Sequence, residues 1–374
     1  MKIPFNKPYF TGKEPYYVAQ SAYSGKISGN GPFTEKCHHF FESRYGFKKA
    51  LLTTSCTDAL EMAALLCDIG PGDEVIMPSY TFVSTANAFA LRGAKIIFAD
   101  IGSEIPNIDL EEVEKLITEN TKAVVVVHYA GVAVDMDRLM GLAEKYQLYV
   151  IEDAAHAIDS YYKDRPLGSI GHMGTFSFHE TKNIIAGEAG LLAVNAERLI
   201  ERAEILWEKG TNRAAFSRGE VDKYEWVDLG SSFLPSDMTA AFLYAQLQQL
   251  EEIQQKRIHI WKKYDEELSH TKDSGEIYYP DVPEYATING NMFYFLAKSR
   301  SERDKVLEYL KQNGILAVFH YLPLHTSKYF TGKNDGRKLP STAMFSDRIV
   351  RLPFYVELSD TEIEMISDRV RSIV

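Results

Sequence analysis

The sequence predicts an α/β protein with a three-layer, mainly parallel sheet in a large domain and a smaller α+β C-terminal domain. From about residue 49 to residue 194, short apolar runs rich in Val and Ile alternate with helical stretches. Such runs are typical of parallel strands that are covered by helices on both faces. After about residue 237 the alternation stops, and one long helical stretch precedes isolated strands and helices. A chain of 374 residues is long enough for the two domains that this change indicates.

Each element follows from its own pattern of apolar residues. Six apolar runs predict the strands of the sheet: 50–53, 74–77, 95–98, 124–127, 148–151 and 175–178. Apolar residues at helical spacing predict the intervening helices: 57–67, 83–91, 110–117 and 136–146. The remainder predicts a helix over 238–270, strands over 293–297 and 316–320, and helices over 302–312 and 361–373. We therefore assign residues 1–250 to the large domain and 251–374 to the small domain, on which the N-terminal arm is expected to pack.

The composition excludes several classes of protein. The formal net charge is −11 and no block of basic residues occurs, so no nucleic-acid partner is expected. Three cysteines without a CxxC pair predict neither a disulfide framework nor a metal site. No apolar run is long enough for a membrane span, and the N-terminal residues lack the apolar segment of a secretory signal. We therefore expect a cytoplasmic protein whose ligands are small molecules.

Two segments at predicted strand ends carry candidate binding residues. Residues 54–60 follow a strand and open a helix, and the hydroxyls and free N–H groups there suit a phosphate. The alternative is that Ser55 or Thr57 only caps the helix. Asp153 lies at the C-terminal end of an apolar strand, where open α/β sheets bind their ligands. Its alternative role is to cap the turn that follows.

A third segment, residues 175–183, carries a candidate nucleophile. Lys182 follows a predicted buried strand, and desolvation there would lower its pKa and make it a Schiff-base lysine. The alternative is a solvated lysine on a turn. His179 and Glu180 do not complete the zinc-protease motif, because position 183 is Asn. The sequence also lacks the glycine motifs of P-loop and dinucleotide-binding proteins.

In this order, the three segments resemble those of the sugar aminotransferases of the DegT/DnrJ/EryC1/StrS family. The resemblance covers nearly the whole chain and includes the stretches 71–75, 78–82, 128–131 and 351–355. The stretches 55–57, 79–87, 177–183 and 209–213 more narrowly resemble family members that form dTDP-4-amino-4,6-dideoxygalactose. The resemblance to the family implies the type I, aspartate aminotransferase-like fold of enzymes that depend on pyridoxal 5′-phosphate (PLP). PLP is therefore the expected cofactor, with pyridoxamine phosphate as its intermediate form.

The resemblance also implies roles for individual residues. Lys182 would hold PLP as a Schiff base and move protons, and Asp153 would pair with the pyridine nitrogen. The other cofactor-binding residues expected are Cys56 and Thr57 through their amides, Thr57 and Ser177 through their hydroxyls, Phe82 or alternatively Tyr80 stacked on the ring, and His156 beside it. The expected substrate contacts are Lys209, Arg213, His320, Tyr321 and His325, each with a packed or solvated role as its alternative.

One stretch departs from the family pattern. The family supplies an Asn to the partner subunit's phosphate from a G-Y-N-Y-R stretch, whereas residues 230–234 read GSSFL here. Ser232 stands at the position of that Asn, and its hydroxyl can still donate to a phosphate. The resemblance therefore implies a homodimer whose active sites are shared between subunits.

The expected reaction is the transamination of dTDP-4-keto-6-deoxyglucose to dTDP-4-amino-4,6-dideoxygalactose, with L-glutamate as the amino donor. The expected pathway is the biosynthesis of a surface polysaccharide such as the enterobacterial common antigen. The alternatives are a 3-aminotransferase, or another 4-aminotransferase, of a different nucleotide-linked keto-sugar. A PLP-dependent sugar dehydratase of the same family is disfavoured because such enzymes carry His where Lys182 stands. A binding protein that has lost the chemistry is disfavoured by the retention of Asp153 and Lys182.

Overall fold

In a computed structural model, which describes residues 2–374, strands and helices alternate through the first half of the chain. The strands are β1 (Lys49–Thr53), β2 (Glu74–Pro78), β3 (Lys95–Ala99), β4 (Thr121–Val127), β5 (Tyr149–Asp153), β6 (Tyr161–Tyr162), β7 (Arg165–Pro166), β8 (Met173–Ser177), β9 (Gly190–Val194), β10 (Tyr294–Leu296) and β11 (Ile349–Arg351). Seven of them form one sheet in the order β1-β9-β8-β5-β4-β2-β3. Only β9 runs antiparallel to its neighbours in this sheet, so the predicted mainly parallel sheet is confirmed.

Thirteen α-helices surround the strands in the described chain. They are α1 (Glu14–Tyr23), α2 (Pro32–Tyr45), α3 (Cys56–Leu66), α4 (Val83–Ala90), α5 (Leu110–Leu116), α6 (Met136–Tyr146), α7 (Ile200–Trp207), α8 (Arg213–Ser217), α9 (Asp237–Leu247), α10 (Leu250–Asp273), α11 (Arg300–Gln312), α12 (Pro340–Arg348) and α13 (Asp360–Arg371). Several begin at a side chain that caps the first turn, namely those that follow Ser55, Asp135, Ser236, Ser299 and Ser359. No helix among residues 2–374 combines the length and apolar character needed to cross a membrane.

The sheet has a separate hydrophobic core on each of its faces. Successive residues of a strand point to opposite faces, and β4 shows this directly. Its Val124 and Val126 belong to one buried cluster, whereas Ala123 and Val125 belong to the other. The first cluster includes residues of α2, α6 and α9, and the second includes residues of α3, α4 and α7. The predicted three-layer arrangement is therefore confirmed.

The sequence-based prediction did not include α1, α2, α7, α8, α12, β6 and β7, and it differs from the structure at four further places. The helix predicted over 238–270 is two helices, α9 and α10, which are interrupted at Gln248 and Gln249. The sequence analysis does not predict strand β9, because Gly187 and Gly190, at and just before its start, are typical of a turn. The strand predicted over 316–320 is wrong, since only Val318 forms an isolated bridge there. Its partner in that bridge belongs to β11, a strand of three residues that the sequence pattern missed.

The C-terminal part of the chain has its own core, which α10 connects to the core of the sheet. Leu250 and Ile253 of α10 pack in the first sheet cluster, whereas Tyr264 and Leu268 pack with β10, β11, α11 and α13. The N-terminal arm joins the C-terminal core through Ile3, which bonds to Gly314 and Leu316. This packing supports our proposal of a large domain over 1–250 and a small domain over 251–374, with the boundary at the start of α10.

The C-terminal end of β5 is fixed by a buried carboxylate. Glu152 accepts hydrogen bonds from the backbone N–H groups of Gly168 (2.8 Å), Ile170 (2.8 Å) and Gly171 (2.5 Å). His128, also fully buried, completes the set with its Nε2 at 2.9 Å from the Glu152 carboxylate. The His128 Nδ1 accepts from the N–H of a neighbouring loop residue, so Nε2 carries the proton that is donated. The loop that leads into β8 is thereby attached to the end of β5.

Candidate active site

A cavity of about 400 Å³ opens at the C-terminal ends of the parallel strands. Nine of the residues predicted from the sequence line it: Cys56, Thr57, Phe82, Asp153, His156, Ser177, Lys182, His320 and Tyr321. The large domain contributes the first seven and the C-terminal part contributes the last two. The position agrees with the rule that open α/β sheets bind ligands at this edge.

The N-terminus of α3 forms one end of the cavity. Ser55 caps the helix by accepting a hydrogen bond from the N–H of Asp58 at 3.1 Å. The N–H groups of Cys56 and Thr57, in the first turn, have no acceptor within the helix. The hydroxyl oxygen of Thr57 lies 2.7 Å from that of Ser84, at the start of α4. Free N–H groups, paired hydroxyls and the positive end of the helix dipole together suit a phosphate group.

Strand β9 packs against this helix terminus so closely that its first residue must be glycine. A Cβ atom on Gly190 would lie 2.4 Å from the backbone nitrogen of Cys56 and 2.5 Å from the carbonyl oxygen of Ser55. Backbone atoms cannot move aside as a flexible side chain does. Gly190 therefore sets the position of the phosphate-binding end relative to the sheet.

Asp153 is buried at the end of β5, and hydrogen bonds fix both of its carboxylate oxygens. Thr85 donates to Oδ2 at 2.8 Å, and the N–H of Ala155 lies 3.2 Å from Oδ1. The hydroxyl of Thr81 lies 2.8 Å from that of Thr85 and, since Thr85 donates to Asp153, it donates to Thr85 in turn. Burial raises the pKa of Asp153, while these hydrogen bonds and the charge of Lys182 act in the opposite direction. A cation at this point would lower the pKa of Asp153 and so favour the ionised carboxylate.

Lys182 lies in the loop after β8, and its neighbour anchors that loop. The Nδ2 of Asn183 donates to Gln254 at 2.9 Å and to the carbonyl oxygen of Asn289 at 2.8 Å, and its Oδ1 accepts from Asn291 at 2.9 Å. Burial lowers the pKa of Lys182 to about 8, because a charged ammonium loses its hydration in the cavity. A neutral amine is thus accessible near physiological pH, as a nucleophile and as a base.

The remaining wall is aromatic. His156 accepts from the N–H of Ala130 through Nδ1 at 3.4 Å, so its Nε2 carries a proton and faces the hydroxyl of Tyr321 at 3.3 Å. Burial holds the pKa of His156 well below its usual range, which keeps the imidazole neutral. Phe82 lies in the cavity with 57% of its surface exposed, whereas Tyr80 is fully buried and does not line the cavity. The geometry therefore favours Phe82 over Tyr80 as the aromatic that contacts a ligand.

Four residues predicted at the site lie outside the cavity of their own chain. His325 is buried against Ser79, 2.7 Å away, so the expectation that it shapes the substrate pocket is corrected: it packs in the fold. Ser232, Lys209 and Arg213 belong to one exposed region in which Ser232 pairs with Glu208. The Nε of Arg213 lies 3.6 Å from the side-chain carboxylate of Glu208. None of these three residues lines the cavity of its own chain.

Among the cavity residues to which the sequence analysis gave no role are three polar ones, Ser84, Thr85 and Arg351. Thr85 and Ser84 lie in the first turn of α4, where Ser and Thr are usually capping residues or solvated. Arg351 was noticed only as part of a C-terminal motif, and its chain neighbours give no sign that it faces Lys182. The one available signal for Thr85 was the position of Asp153 at the end of a buried strand, because a buried carboxylate requires a hydrogen-bond donor from a neighbouring element.

Comparison with known proteins identifies the family. Residues 9–371 match the DegT/DnrJ/EryC1/StrS aminotransferase family. The chain belongs to this family. It is 34% identical over 353 residues to the uncharacterized protein MJ1066 of Methanocaldococcus jannaschii, and the match covers 92% of this chain and 90% of that protein. It is 33% identical over 379 residues to the spore coat polysaccharide biosynthesis protein SpsC of Bacillus subtilis, covering 100% and 97% of the two chains.

A solved structure extends the comparison to the fold and the cofactor. The putative sugar aminotransferase Spr1654 from Streptococcus pneumoniae, in its PMP form, superposes with a TM-score of 0.91 at 26% identity. The superposition covers 99% of this chain and 98% of that one. The predicted type I fold and the predicted PLP dependence are confirmed, and the chain is a PLP-dependent sugar aminotransferase.

The side chains of the cavity fit PLP. The phosphate would be held by the N-terminus of α3 with the hydroxyls of Thr57, Ser84 and Ser177. Asp153 supplies the buried anion that a protonated pyridine nitrogen needs, and Lys182 supplies the amine that binds the aldehyde carbon. These individual assignments, with Cys56, Phe82 and His156, are our proposals for how this aminotransferase binds its cofactor.

The lowered pKa of Lys182 predicts how cofactor capture depends on pH. Only the neutral amine reacts with an aldehyde, so the capture rate of the apoprotein should rise with pH and level off above about 8. An unperturbed lysine would level off only above about 10.4. Stopped-flow absorbance at the visible band of the bound cofactor measures the rate, with Nα-acetyl-lysine in solution as the control. A capture rate that keeps rising beyond pH 10 contradicts the assignment.

Thr85 is predicted to be required for tight cofactor binding. Thr85→Val removes the hydroxyl that donates to Asp153, a loss of about 1.5–3 kcal/mol, so the dissociation constant of PLP should rise about 10- to 100-fold. Thr85→Ser keeps the hydroxyl and is the matched control. Equilibrium titration of the apoproteins with PLP measures both variants. Equal affinity of the Val and Ser variants would show that the hydrogen bond does not orient Asp153.

Proposed function

We propose that this sugar aminotransferase transfers an amino group from L-glutamate to dTDP-4-keto-6-deoxyglucose and so forms dTDP-4-amino-4,6-dideoxygalactose. Family membership supports the general reaction. The stretches 55–57, 79–87, 177–183 and 209–213 favour this substrate, since they resemble the family members that act on it. The name of SpsC, a spore coat polysaccharide biosynthesis protein, agrees with a product that enters a surface polysaccharide. The enterobacterial common antigen is the pathway we propose.

The observation that carries the proposal is a buried amine opposite a buried carboxylate in one cavity. Lys182 and Asp153 both line it, and the pKa of Lys182 is lowered by burial to about 8. PLP, when bound, supplies an electron sink that stabilises the carbanion formed at the substrate carbon. The family's dehydratases carry His in place of this lysine, so an amine at position 182 favours amino transfer over dehydration.

Lys182 and Asp153 have defined roles in each of the two proposed half-reactions. In the first, the neutral Nζ of Lys182 accepts the proton from Cα of the amino donor, and Asp153 holds the positive charge of the ring nitrogen in place. In the second, the same amine delivers a proton to C4 of the sugar. Matching the base's pKa to the working pH makes proton transfer efficient in both directions.

Tyr321 is a proposed contact for the sugar ring, and His156, a proposed cofactor contact, orients its hydroxyl. The Nε2 proton of His156 is donated to the Tyr321 oxygen, which leaves the Tyr321 hydroxyl proton free to donate to a sugar oxygen. Burial raises the pKa of Tyr321, so it acts as a hydrogen-bond donor and not as a base. His320 lies at the same side of the cavity, and burial lowers its pKa to about 4, so it stays neutral.

We also propose that the enzyme is a homodimer with shared active sites. The segment before Ser232 exposes the apolar side chains of Tyr224, Trp226, Val227 and Leu229, and Trp226 is 78% exposed. A cluster of this kind is typical of a surface that another protein covers. A second copy of this chain is the proposed partner, since Ser232, Lys209 and Arg213 do not face the cavity of their own chain.

If the active sites are shared in a dimer, mutation of Ser232, which lies outside the cavity of its own chain, should lower the affinity for PLP. Ser232→Ala removes one hydrogen bond to a charged group, about 1.5–3 kcal/mol if buried at the interface, so PLP should bind about 10- to 100-fold more weakly. Light scattering should give a mass of two chains or a multiple of two. Ser217→Ala, in the neighbouring helix α8, is the control. A mass of one chain with PLP fully bound would rule out the shared site.

The substrate is tested by product identification. The holoenzyme with L-glutamate and dTDP-4-keto-6-deoxyglucose should yield a dTDP-amino-sugar, and NMR assigns both the aminated carbon and its stereochemistry. Lys182→Ala should form no product while keeping its far-UV circular dichroism, because Lys182 lies on a loop and not in the core. An amine at C3, or no reaction with this sugar, would contradict the proposed substrate. Turnover by Lys182→Ala within about tenfold of wild type would contradict its role.

A further inference from the structure

Two buried tyrosines, Tyr80 and Tyr129, lie next to the cavity without lining it. Tyr80 comes two residues after the end of β2, and Tyr129 comes two residues after the end of β4. Because β2 and β4 are parallel neighbours in the sheet, both side chains start from the same edge and lie side by side. The centres of their rings are 5.5 Å apart.

The hydroxyls of the two tyrosines converge on one backbone oxygen. Tyr80 donates to the carbonyl oxygen of His320 at 2.5 Å, and Tyr129 donates to the same oxygen at 3.2 Å. A carbonyl oxygen has two lone pairs, so it can accept both bonds. Burial raises the pKa of Tyr80 and of Tyr129, so both hydroxyls keep their protons and remain donors. These bonds join the edge of the sheet to the C-terminal part of the chain.

The segment that contains His320 has few other backbone contacts. Residues 319–322 belong to no helix or strand, and within residues 2–374 they form no hydrogen bond to another backbone group. The nearest backbone anchors are Val318, which pairs with Arg351, and Leu324, whose N–H donates to the carbonyl oxygen of Ser79 at 3.0 Å. Between these anchors, the hydrogen bonds that reach the main chain come from the two tyrosine hydroxyls.

The His320 carbonyl belongs to the peptide unit that leads to Tyr321. Since a peptide unit is planar, its carbonyl oxygen and the Cα of the next residue lie in one rigid plane. Holding the oxygen therefore restrains the direction in which the Tyr321 side chain leaves the backbone. The Tyr321 ring also meets the edges of Tyr80 and Tyr129, with ring centres 6.1 and 6.3 Å apart. In this position its hydroxyl lies 3.3 Å from Nε2 of His156.

We propose that Tyr80 and Tyr129 are positioning residues, whose hydroxyls act through the His320 carbonyl to direct the Tyr321 side chain towards the keto-sugar. The inference rests on the proposed function, in which the Tyr321 hydroxyl donates to a sugar oxygen. Displacing an orienting group by about 1 Å can slow a reaction about 100-fold. The two hydroxyls should therefore matter for the keto-sugar half-reaction and not for the amino-donor half-reaction, in which Tyr321 has no proposed part.

A third tyrosine separates positioning from packing. Tyr294 belongs to the same buried cluster, and its ring centre lies 5.6 Å from that of Tyr129. In the described chain, its hydroxyl is not bonded to His320. Tyr294→Phe is therefore the matched control for the loss of a buried hydroxyl in this cluster.

The first test compares the two half-reactions in single turnovers of the holoenzyme. The double variant Tyr80→Phe/Tyr129→Phe leaves the His320 carbonyl without a partner, so its pyridoxamine-phosphate form should react with the keto-sugar about 10- to 100-fold more slowly than wild type. Each single variant keeps one bond and should be slowed less. The reaction with L-glutamate should stay within about twofold of wild type, and Tyr294→Phe should change neither rate. Equal slowing of both half-reactions, or of neither, would overturn the proposal.

The second test asks whether the pair acts through Tyr321. Tyr321→Phe should itself slow the keto-sugar half-reaction, and adding Tyr80→Phe and Tyr129→Phe to it should slow that reaction by no more than about twofold further. Effects that multiply in full would show that the two tyrosines act independently of Tyr321, and would overturn the proposal. A wild-type rate for Tyr321→Phe would overturn it as well.

The third test does not depend on the identity of the sugar. In a crystal structure of the double-variant holoenzyme, the Tyr321 hydroxyl should lie beyond hydrogen-bond distance of Nε2 of His156, whereas in Tyr294→Phe it should stay within that distance. An unchanged Tyr321 would overturn the proposal. A wild-type enzyme that does not aminate dTDP-4-keto-6-deoxyglucose would contradict the proposed substrate, while this structure would still report on the two tyrosines. If the double variant does not fold, the single variants carry the same comparison.

Discussion

Two adjacent carboxylates at the end of β5 are the constraint on which the active site depends. Because neighbouring residues of a strand point to opposite faces, Glu152 and Asp153 leave the sheet in opposite directions. Glu152 is bound by three backbone N–H groups and by His128, which attaches the loop before β8 to the end of β5. Asp153 faces the cavity and is bound by Thr85. One short strand therefore fixes both the loop that precedes β8 and the anion that faces the cofactor.

The catalytic cavity is completed by residues that are far apart in the chain. Lys182 comes from the loop after β8, and the amide network of Asn183 binds that loop to α10 and to residues 289–291. His320, Tyr321 and Arg351 reach the cavity from the C-terminal part. A ligand that fills this cavity would contact both parts of the chain. The amide network of Asn183 thus joins the loop that carries Lys182 to the C-terminal part of the chain.

The sequence predicted the six parallel strands because each is a continuous apolar run, which burial on both faces requires. It failed where the local pattern was ambiguous. β9 begins at Gly190, and a glycine is typical of a turn. Here the glycine is needed because the backbone of Cys56 lies too close for a side chain. The break between α9 and α10 falls in a run of glutamines that gives no stop signal, and β11 is too short for a periodic pattern.

The sequence by itself determined the residues that act through local structure: the helix start at Ser55–Thr57, the strand end at Asp153 and the loop lysine at 182. Each lies directly after a predicted strand, so its place at the edge of the sheet follows from chain order. Only the tertiary structure shows that Phe82, and not Tyr80, lines the cavity and that His325 lies outside it. It also shows that Thr85 contacts Asp153 and that Arg351 lies in the same cavity as Lys182. Those contacts join elements that are distant in the chain. A local pattern of residues does not indicate which polar side chains will come into contact across such a distance.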